Sequence, residues 1–221
     1  MRFFRFLLLL LVCVTVCFSS PGLAAERICD YTVSARVEPD GSLLVTEHIQ
    51  VLVEHQKIRH GITRVFPVKE HYAGDSLRHY GFNVLSVHLD GQDVPYVRTD
   101  KGFMAGLAIG DPEKLAPSGL HTYTIVYRTT NHVRPFADHD EIVFNAIGLE
   151  NRFPVDVAQF SLMLPNGAHA TFARAVTGRH GKEGRDVVSD APLSFRTTRR
   201  LSPGEGLTVA VGWPKGFVKP E

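Results

Sequence analysis

The sequence predicts an all-β fold, an antiparallel two-sheet β-sandwich preceded by a signal peptide, and three observations predict it. Apolar and polar residues alternate with a period of two along most of the chain. Helical periodicity is almost absent after residue 25, which leaves no crossover helices to cover a parallel sheet. Gly, Pro, Asn and Asp recur between the alternating runs, where their backbone preferences supply turns. Hydrophobic residues at 44% and charged residues at 21% are ordinary for a globular protein, so a packed core is expected.

Residues 1–25 come first and stand apart. Arg2 and Arg5 precede an apolar run over 6–18, followed by Ser19-Ser20-Pro21-Gly22-Leu23-Ala24-Ala25. That is the three-part pattern of a secretory signal, with Gly22 and Ala24 placed for a cut after Ala24 and Ala25 as the next choice. The apolar run is shorter than the roughly 20 residues of a spanning helix, although an uncleaved anchor is the alternative. Without Arg2 and Arg5 the formal charge of +1 becomes −1, so no net field steers a nucleic acid, and none is expected as a partner. Cys13 and Cys17 also leave with this segment, so Cys29 is the one cysteine of the mature chain and is read as a small apolar residue at the start of a strand. Nothing from Glu26 onward has membrane-spanning length and hydropathy, so a single exported domain over 26–221, periplasmic or secreted, is expected.

The strands follow in order. Residues 31–37 and 43–53 form the clearest pair, joined by Glu38-Pro39-Asp40-Gly41-Ser42, in which Pro39 presets φ and Gly41 accepts a positive φ. Tyr31, Val33, Ala35 and Val37 share one face of the first strand; Leu43, Val45, Glu47, Ile49, Val51 and Val53 share one face of the second. Further strands are predicted over 82–89 before the turn Asp90-Gly91, then over 120–129, 141–145, 155–164, 171–176, 193–198 and 206–213. In 120–129, Tyr123, Ile125 and Tyr127 share a core face whose hydroxyls are expected to reach the sandwich rim. The stretches 102–119 and 178–185 read as loops, and 57–81 holds either a strand or a long excursion.

Glu47 breaks the local rule, because alternation places its carboxylate among Val45, Ile49 and Val51. A buried carboxylate needs a cation or several donors. Arg64, within His60-Gly61-Ile62-Thr63-Arg64, is the candidate partner for a structural ion pair; a bulge turning Glu47 to solvent and a catalytic carboxylate are the alternatives.

The eleven histidines include a crowd at His48, His55, His60, His71 and His79, yet no His-x-His or His-Glu-x-x-His element occurs. Asp138-His139-Asp140-Glu141 supplies oxygen and imidazole groups in four residues and reads equally as a solvated turn before a strand. No Gly-x-Ser-x-Gly elbow, Ser-x-x-Lys element or phosphate-binding glycine loop is present, so no catalytic residue, resident metal or cofactor is assigned. The candidate binding residues are the loop positions His60, Arg64, Asp138, Asp140 and Glu141.

Several segments, taken in order, resemble one family. They are Asp40-Gly41-Ser42-Leu43-Leu44-Val45-Thr46-Glu47, His60-Gly61-Ile62-Thr63-Arg64-Val65-Phe66-Pro67, Thr122-Tyr123-Thr124-Ile125-Val126-Tyr127, Asp140-Glu141-Ile142-Val143-Phe144-Asn145-Ala146-Ile147-Gly148, and Val211-Gly212-Trp213-Pro214-Lys215-Gly216. The chain resembles the amino-terminal extracytoplasmic domain of the uncharacterised bacterial predicted-membrane-protein family called domain of unknown function twenty-two-oh-seven. The resemblance implies an exported β-sandwich with no established activity or ligand. Such proteins usually continue into membrane helices and a cytoplasmic tail, whereas this sequence ends at Glu221, and Leu149-Glu150-Asn151-Arg152 lacks the tryptophan expected there. The function expected is a non-enzymatic binding module of the cell envelope with a membrane or envelope protein as partner. The alternatives are a periplasmic metal-dependent hydrolase using histidine and carboxylate side chains, or a structural assembly module with an open sheet edge.

Overall fold

The computed structural model describes residues 25–72 and 76–219; the expected signal peptide, except for Ala25, lies outside them. The strands run β1 (Arg27–Val37), β2 (Leu43–Val53), β3 (Ile62–Pro67), β4 (Lys69–Tyr72), β5 (Ser76–His79), β6 (Phe82–Leu89), β7 (Gln92–Asp93), β8 (Tyr96–Lys101) and β9 (Met104–Ile109). They continue as β10 (Gly119–Thr129), β11 (Val133–Pro135), β12 (His139–Ile147), β13 (Val155–Met163), β14 (Phe172–Arg179), β15 (Lys182–Gly184), β16 (Val187–Ala191), β17 (Ser194–Thr197) and β18 (Gly206–Pro214). The fold is all-β, as the alternation predicts.

The two-sheet expectation needs correction, because the strands form four sheets. An eight-stranded sheet has the order β16-β17-β13-β1-β2-β10-β6-β7; a five-stranded sheet is β11-β12-β18-β14-β15; a three-stranded sheet is β3-β9-β8; and β4 pairs with β5. Antiparallel pairing dominates, but β1 and β13 run parallel in register from Ile28 opposite Val155 to Arg36 opposite Met163. Phe66 of β3 lies 4.3 Å from Phe82 and 4.9 Å from Tyr127, ring centre to ring centre, which seats the three-stranded sheet on β6 and β10. Phe144 of β12 meets Phe160 of β13 at 5.8 Å, which seats the five-stranded sheet farther along the same face. Strand twist, roughly 20° per strand, accumulates over eight strands, so one five-stranded sheet cannot follow the whole face and a second small sheet completes the layer.

Period-two chemistry accounts for the large sheet. In β2 the inward row Leu43, Val45, Glu47, Ile49, Val51 and Val53 is buried at every position, and Tyr31, Val33, Ala35 and Val37 of β1 match it. The β1–β2 turn uses Gly41 at φ 79°, and the Asp40 carboxylate accepts from both the amide and the hydroxyl of Ser42. Cys29 is the extra residue of a bulge, since Ile28 opposes Val51 and Asp30 opposes Gln50; it is a free, half-buried thiol. Asp90 at φ 49° and Gly91 at φ 79° give the β6–β7 hairpin two positive central angles, the twist a two-residue hairpin favours. One buried cluster joins residues of all three larger sheets, with Trp213, Tyr123 and Phe160 its bulkiest fully buried side chains.

Two stretches read as loops contain strands, and the open choice over 57–81 falls to strands. The expected loop 102–119 contains β9, whose inward Ala105, Leu107 and Ile109 alternate with Met104, Gly106 and Ala108, so small residues blur the contrast. Residues 57–81 hold β3, β4 and β5, and 178–185 hold the β14–β15 hairpin. β8 is exposed at every position and so has no hydrophobic period to read.

Candidate functional site

The site begins with two charges that sit on core-facing positions of their strands. Glu47 is completely buried in β2, directly opposite Val33 of β1 and Ile125 of β10. Its diagonal neighbours are tyrosines: Tyr31 opposes Ile49 and Tyr127 opposes Val45, so both hydroxyls converge on one carboxylate. Tyr31 donates to Oε2 at 2.6 Å and Tyr127 to Oε1 at 2.9 Å. Arg64 reaches down from β3, between the inward Ile62 and Phe66, and completes the set: Nε donates to Oε2 at 2.8 Å and Nη2 to Oε1 at 3.0 Å. Each oxygen of Glu47 thus accepts two bonds, and the pairing with Arg64 is bidentate. The Tyr127 hydroxyl therefore lies in the interior, not at the rim the alternation predicts, because a buried carboxylate offers it a stronger acceptor.

Arg64 is held on every side. Nη1 donates to the Val65 carbonyl at 2.6 Å, and the guanidinium carbon stands 4.5 Å from the ring centre of Phe66 and 5.8 Å from that of Tyr31. Burial works against its charge, but the adjacent Glu47 carboxylate more than offsets this and holds the proton above the usual arginine value. The Tyr31 and Tyr127 hydroxyls are pushed far above the ordinary tyrosine range, first by burial; the Glu47 charge adds to this at both, and the Arg64 charge opposes it, more strongly than Glu47 acts at Tyr31 and less strongly at Tyr127. At neutral pH the cluster is one anion, one cation and two neutral donors. Gly148, after β12, leaves room for it: a Cβ there would stand 3.1 Å from Arg64 Nη1.

The split second layer leaves a groove, and Arg64 divides it into two cavities. One, of about 190 Å³, lies between β3 and β12 and is lined by Phe66, Phe82, Tyr127, His132 and Phe144 among others. The other, of about 480 Å³, is lined by Ile28, Ile49, Val51, Ile58 and Ile62 with Lys57 and Arg152 at its edge. Arg64, Val65, Gly148 and Glu150 line both. At the end of β3 two glycines let the backbones touch: a Cβ on Gly61, at φ 137°, would fall 1.8 Å from the Ile109 carbonyl oxygen.

The smaller cavity carries a second polar cluster. Tyr80 stacks on buried His132 with ring centres 4.3 Å apart, and His132 Nε2 lies 2.9 Å from Thr129 Oγ1. The Thr129 hydroxyl donates to the Gly81 carbonyl at 2.6 Å, so it accepts from His132, which fixes the proton on Nε2. Burial, aided by the positive charges of Arg78 and Arg134, lowers His132 to about 3, so the ring is neutral. Burial and then the Glu70 carboxylate push Tyr80 up to about 12, and Arg134 pairs with that carboxylate at 3.0 Å.

The other candidate residues lie elsewhere. His60 is exposed, with Nδ1 2.9 Å from the Lys114 carbonyl oxygen. Asp138 is exposed against His139 at 2.7 Å, Asp140 is buried and bonded to Lys215 at 2.7 Å, and Glu141 lies 4.0 Å from His139. None of these four lines either cavity. Among the described residues no three His, Cys, Asp or Glu side chains come together as metal ligands. Sequence reading missed Tyr80, His132, Glu70 and Arg134, which meet only through tertiary packing. It could have found Arg64 as a core group from the Ile62-x-Arg64-x-Phe66 alternation alone.

The class these features define is an all-β fold whose wide mixed sheet is covered by smaller sheets around a buried ion pair. The chain belongs to the family described as Predicted membrane protein (DUF2207) N-terminal domain, which matches residues 27–213. It is 26% identical over 197 residues to Uncharacterized protein YciQ of Escherichia coli (strain K12). That match covers 87% of this chain and 31% of the relative, so the chain spans about a third of it. Among the described residues no helix is long and apolar enough to cross a membrane. Leukotriene A4 hydrolase from Saccharomyces cerevisiae matches with a TM-score of 0.48 at 11% identity, covering 85% of this chain and 29% of that one. The M1 zinc metallopeptidase from Deinococcus radiodurans matches at 0.42 and 13%, covering 83% and 42%. Likenesses this distant have no bearing on what the chain does.

Proposed function

We propose that this chain is a non-catalytic recognition module of the bacterial cell envelope, exported as one domain over residues 26–221 and facing the periplasm or the exterior. The observation that supports the reading is the groove: its floor is the inner face of the wide sheet, and Arg64, held from beneath by the buried Glu47 carboxylate, stands in its middle. Burying such a pair is costly compared with an apolar filling of the same volume, so it marks a position where polarity inside the groove matters more than stability. Concave, mostly apolar clefts with a few fixed polar groups are the usual form of a binding site. The partner is a membrane or envelope component that enters between the smaller sheets.

Site-specific photocrosslinking tests this. A photoreactive residue at exposed Thr63, on the wall of the larger cavity, should give one dominant adduct in intact envelopes. The same residue at Leu120, which is 54% exposed and lines neither cavity, should give none. Equal labelling from the two positions, or labelling from Leu120 alone, rules the groove out.

A further inference from the structure

The geometry points to a ligand for the larger cavity: an amphipathic anion with a single alkyl chain ending in a carboxylate or phosphate. This deepens the recognition-module reading and depends on it. Size is the first argument. A volume of about 480 Å³ falls within the roughly 300–1,000 Å³ of small-molecule sites, whereas the neighbouring cavity at about 190 Å³ falls below it.

Wall chemistry is the second. Ile28, Ile49, Val51 and Ile58 come from β1, β2 and the segment after β2, and together present branched aliphatic surface. A branched aliphatic surface of this kind favours contact with an apolar group over contact with water. Tyr31 and Phe153 add aromatic surface and Thr63, Arg64 and Asn151 add polar groups, so the aliphatic part of the wall is where a flexible alkyl chain fits.

The edge supplies the third argument. Lys57 and Arg152 both stand there exposed, and neither forms an ion pair with a described residue. By contrast Arg27, Arg134, Arg196 and Arg199 each hold a carboxylate. Glu150 shares the edge, so two cations stand against one carboxylate and the mouth is net positive. The buried Glu26 carboxylate accepts from the backbone amides of Glu54, Gln56, Lys57 and Ile58 and forms no ion pair with the Lys57 ammonium. Those four bonds also hold the 54–58 segment, and with it Lys57 and Ile58, in place over the cavity. An anionic head between Lys57 and Arg152 with its chain among the isoleucines satisfies both halves.

The same chemistry exists as a free fatty acid and as a single-chain phospholipid, and titration calorimetry below the micellar concentration separates them. Dodecanoate and a dodecanoyl lysophosphatidylglycerol serve as probes of the exported chain. Saturable one-to-one binding of either supports the site; binding of only one identifies the source. Charge reversal by Lys57→Glu with Arg152→Glu should weaken binding at least tenfold while leaving the melting temperature unchanged, since both side chains are exposed. Shortening dodecanoate to octanoate removes four methylenes and should cost about two hundredfold at ~0.8 kcal/mol per methylene. Absence of saturable binding, indifference to charge reversal, or equal binding of dodecyltrimethylammonium overturns the assignment. If the calorimetry fails while Thr63 still crosslinks, the ligand falls and the recognition module stands; if both fail, both fall.

Discussion

Replacing Glu47 by glutamine changes one oxygen to an amide and should unfold the protein at distinctly lower temperature. The carboxylate accepts four bonds of 2.6 to 3.0 Å from Tyr31, Tyr127 and two nitrogens of Arg64, with no exposed surface of its own. A glutamine oxygen can keep two of those bonds. Its amide nitrogen then faces two donors: a tyrosine hydroxyl can rotate and accept, but a guanidinium N–H cannot. Arg64, with 11% of its side chain exposed, is left as a buried cation without a counter-charge. Breaking a buried pair from one side costs about 3–5 kcal/mol, and because half the bonds survive we expect about 3 kcal/mol. For a chain of this size that lowers the melting temperature by about 6–12 °C. Urea unfolding followed by the fluorescence of Trp213, the sole tryptophan and fully buried, gives the free energy; calorimetry gives the temperature. The double variant Glu47→Leu with Arg64→Met removes both charges and should cost less than the sum of the two single changes. An unchanged melting temperature in Glu47→Gln, or strict additivity in the double variant, refutes the argument.

Three further outcomes follow from other parts of the molecule. Gly61→Ala places a side chain on a backbone angle of 137° and against the Ile109 carbonyl, and should cost about 2–3 kcal/mol in urea unfolding. Folded His132 refuses a proton until about pH 3, whereas the unfolded chain accepts one near 6.5, so its contribution is complete above pH 6.5 and is lost progressively down to about pH 3. Going from pH 7 to 5 should therefore cost the wild type about 2 kcal/mol more than His132→Phe, measured as the difference in unfolding free energy at the two pH values. Lys215→Met leaves buried Asp140 without its cation, and because Lys215 is 42% exposed in its side chain, the loss should be about 1–2 kcal/mol by the same assay.

Where a strand has one wet and one dry face, its sequence shows it. β2 and β6 begin and end where the alternation predicts, and the β1–β2 and β6–β7 turns use the glycines the sequence marks. β8 and β9 escaped notice because one has no dry face and the other fills its wet face with Gly106 and Ala108. Four sheets instead of two could not be read, since sheet number depends on which strands meet and not on what each strand contains. Glu47 was visible because it interrupts an apolar alternation, and Arg64 is its candidate partner through its ability to pair bidentately. That Arg64 interrupts an alternation of its own, between Ile62 and Phe66, is what removes the bulge as an alternative. The Tyr80–His132 stack had no such mark. Its members are ordinary residues in a loop and beside a short strand, and only packing brings together groups some fifty positions apart.

The parallel pairing of β1 with β13 has a consequence for the order of assembly. β1 can zip onto β2 at once through a short turn, yet its other edge waits for a partner whose Ser161 is 127 positions from Ser34. A chain that emerges amino end first therefore carries a long two-stranded ribbon with an uncovered apolar face, open along β2 until β10 arrives and along β1 until β13 does. Closing so large a loop is entropically slow, and an open edge of this kind recruits other chains meanwhile. Folding speed and the yield of folded protein should thus be governed by the arrival of β13, so that slowing the segment before it harms yield more than weakening any single contact in the finished fold.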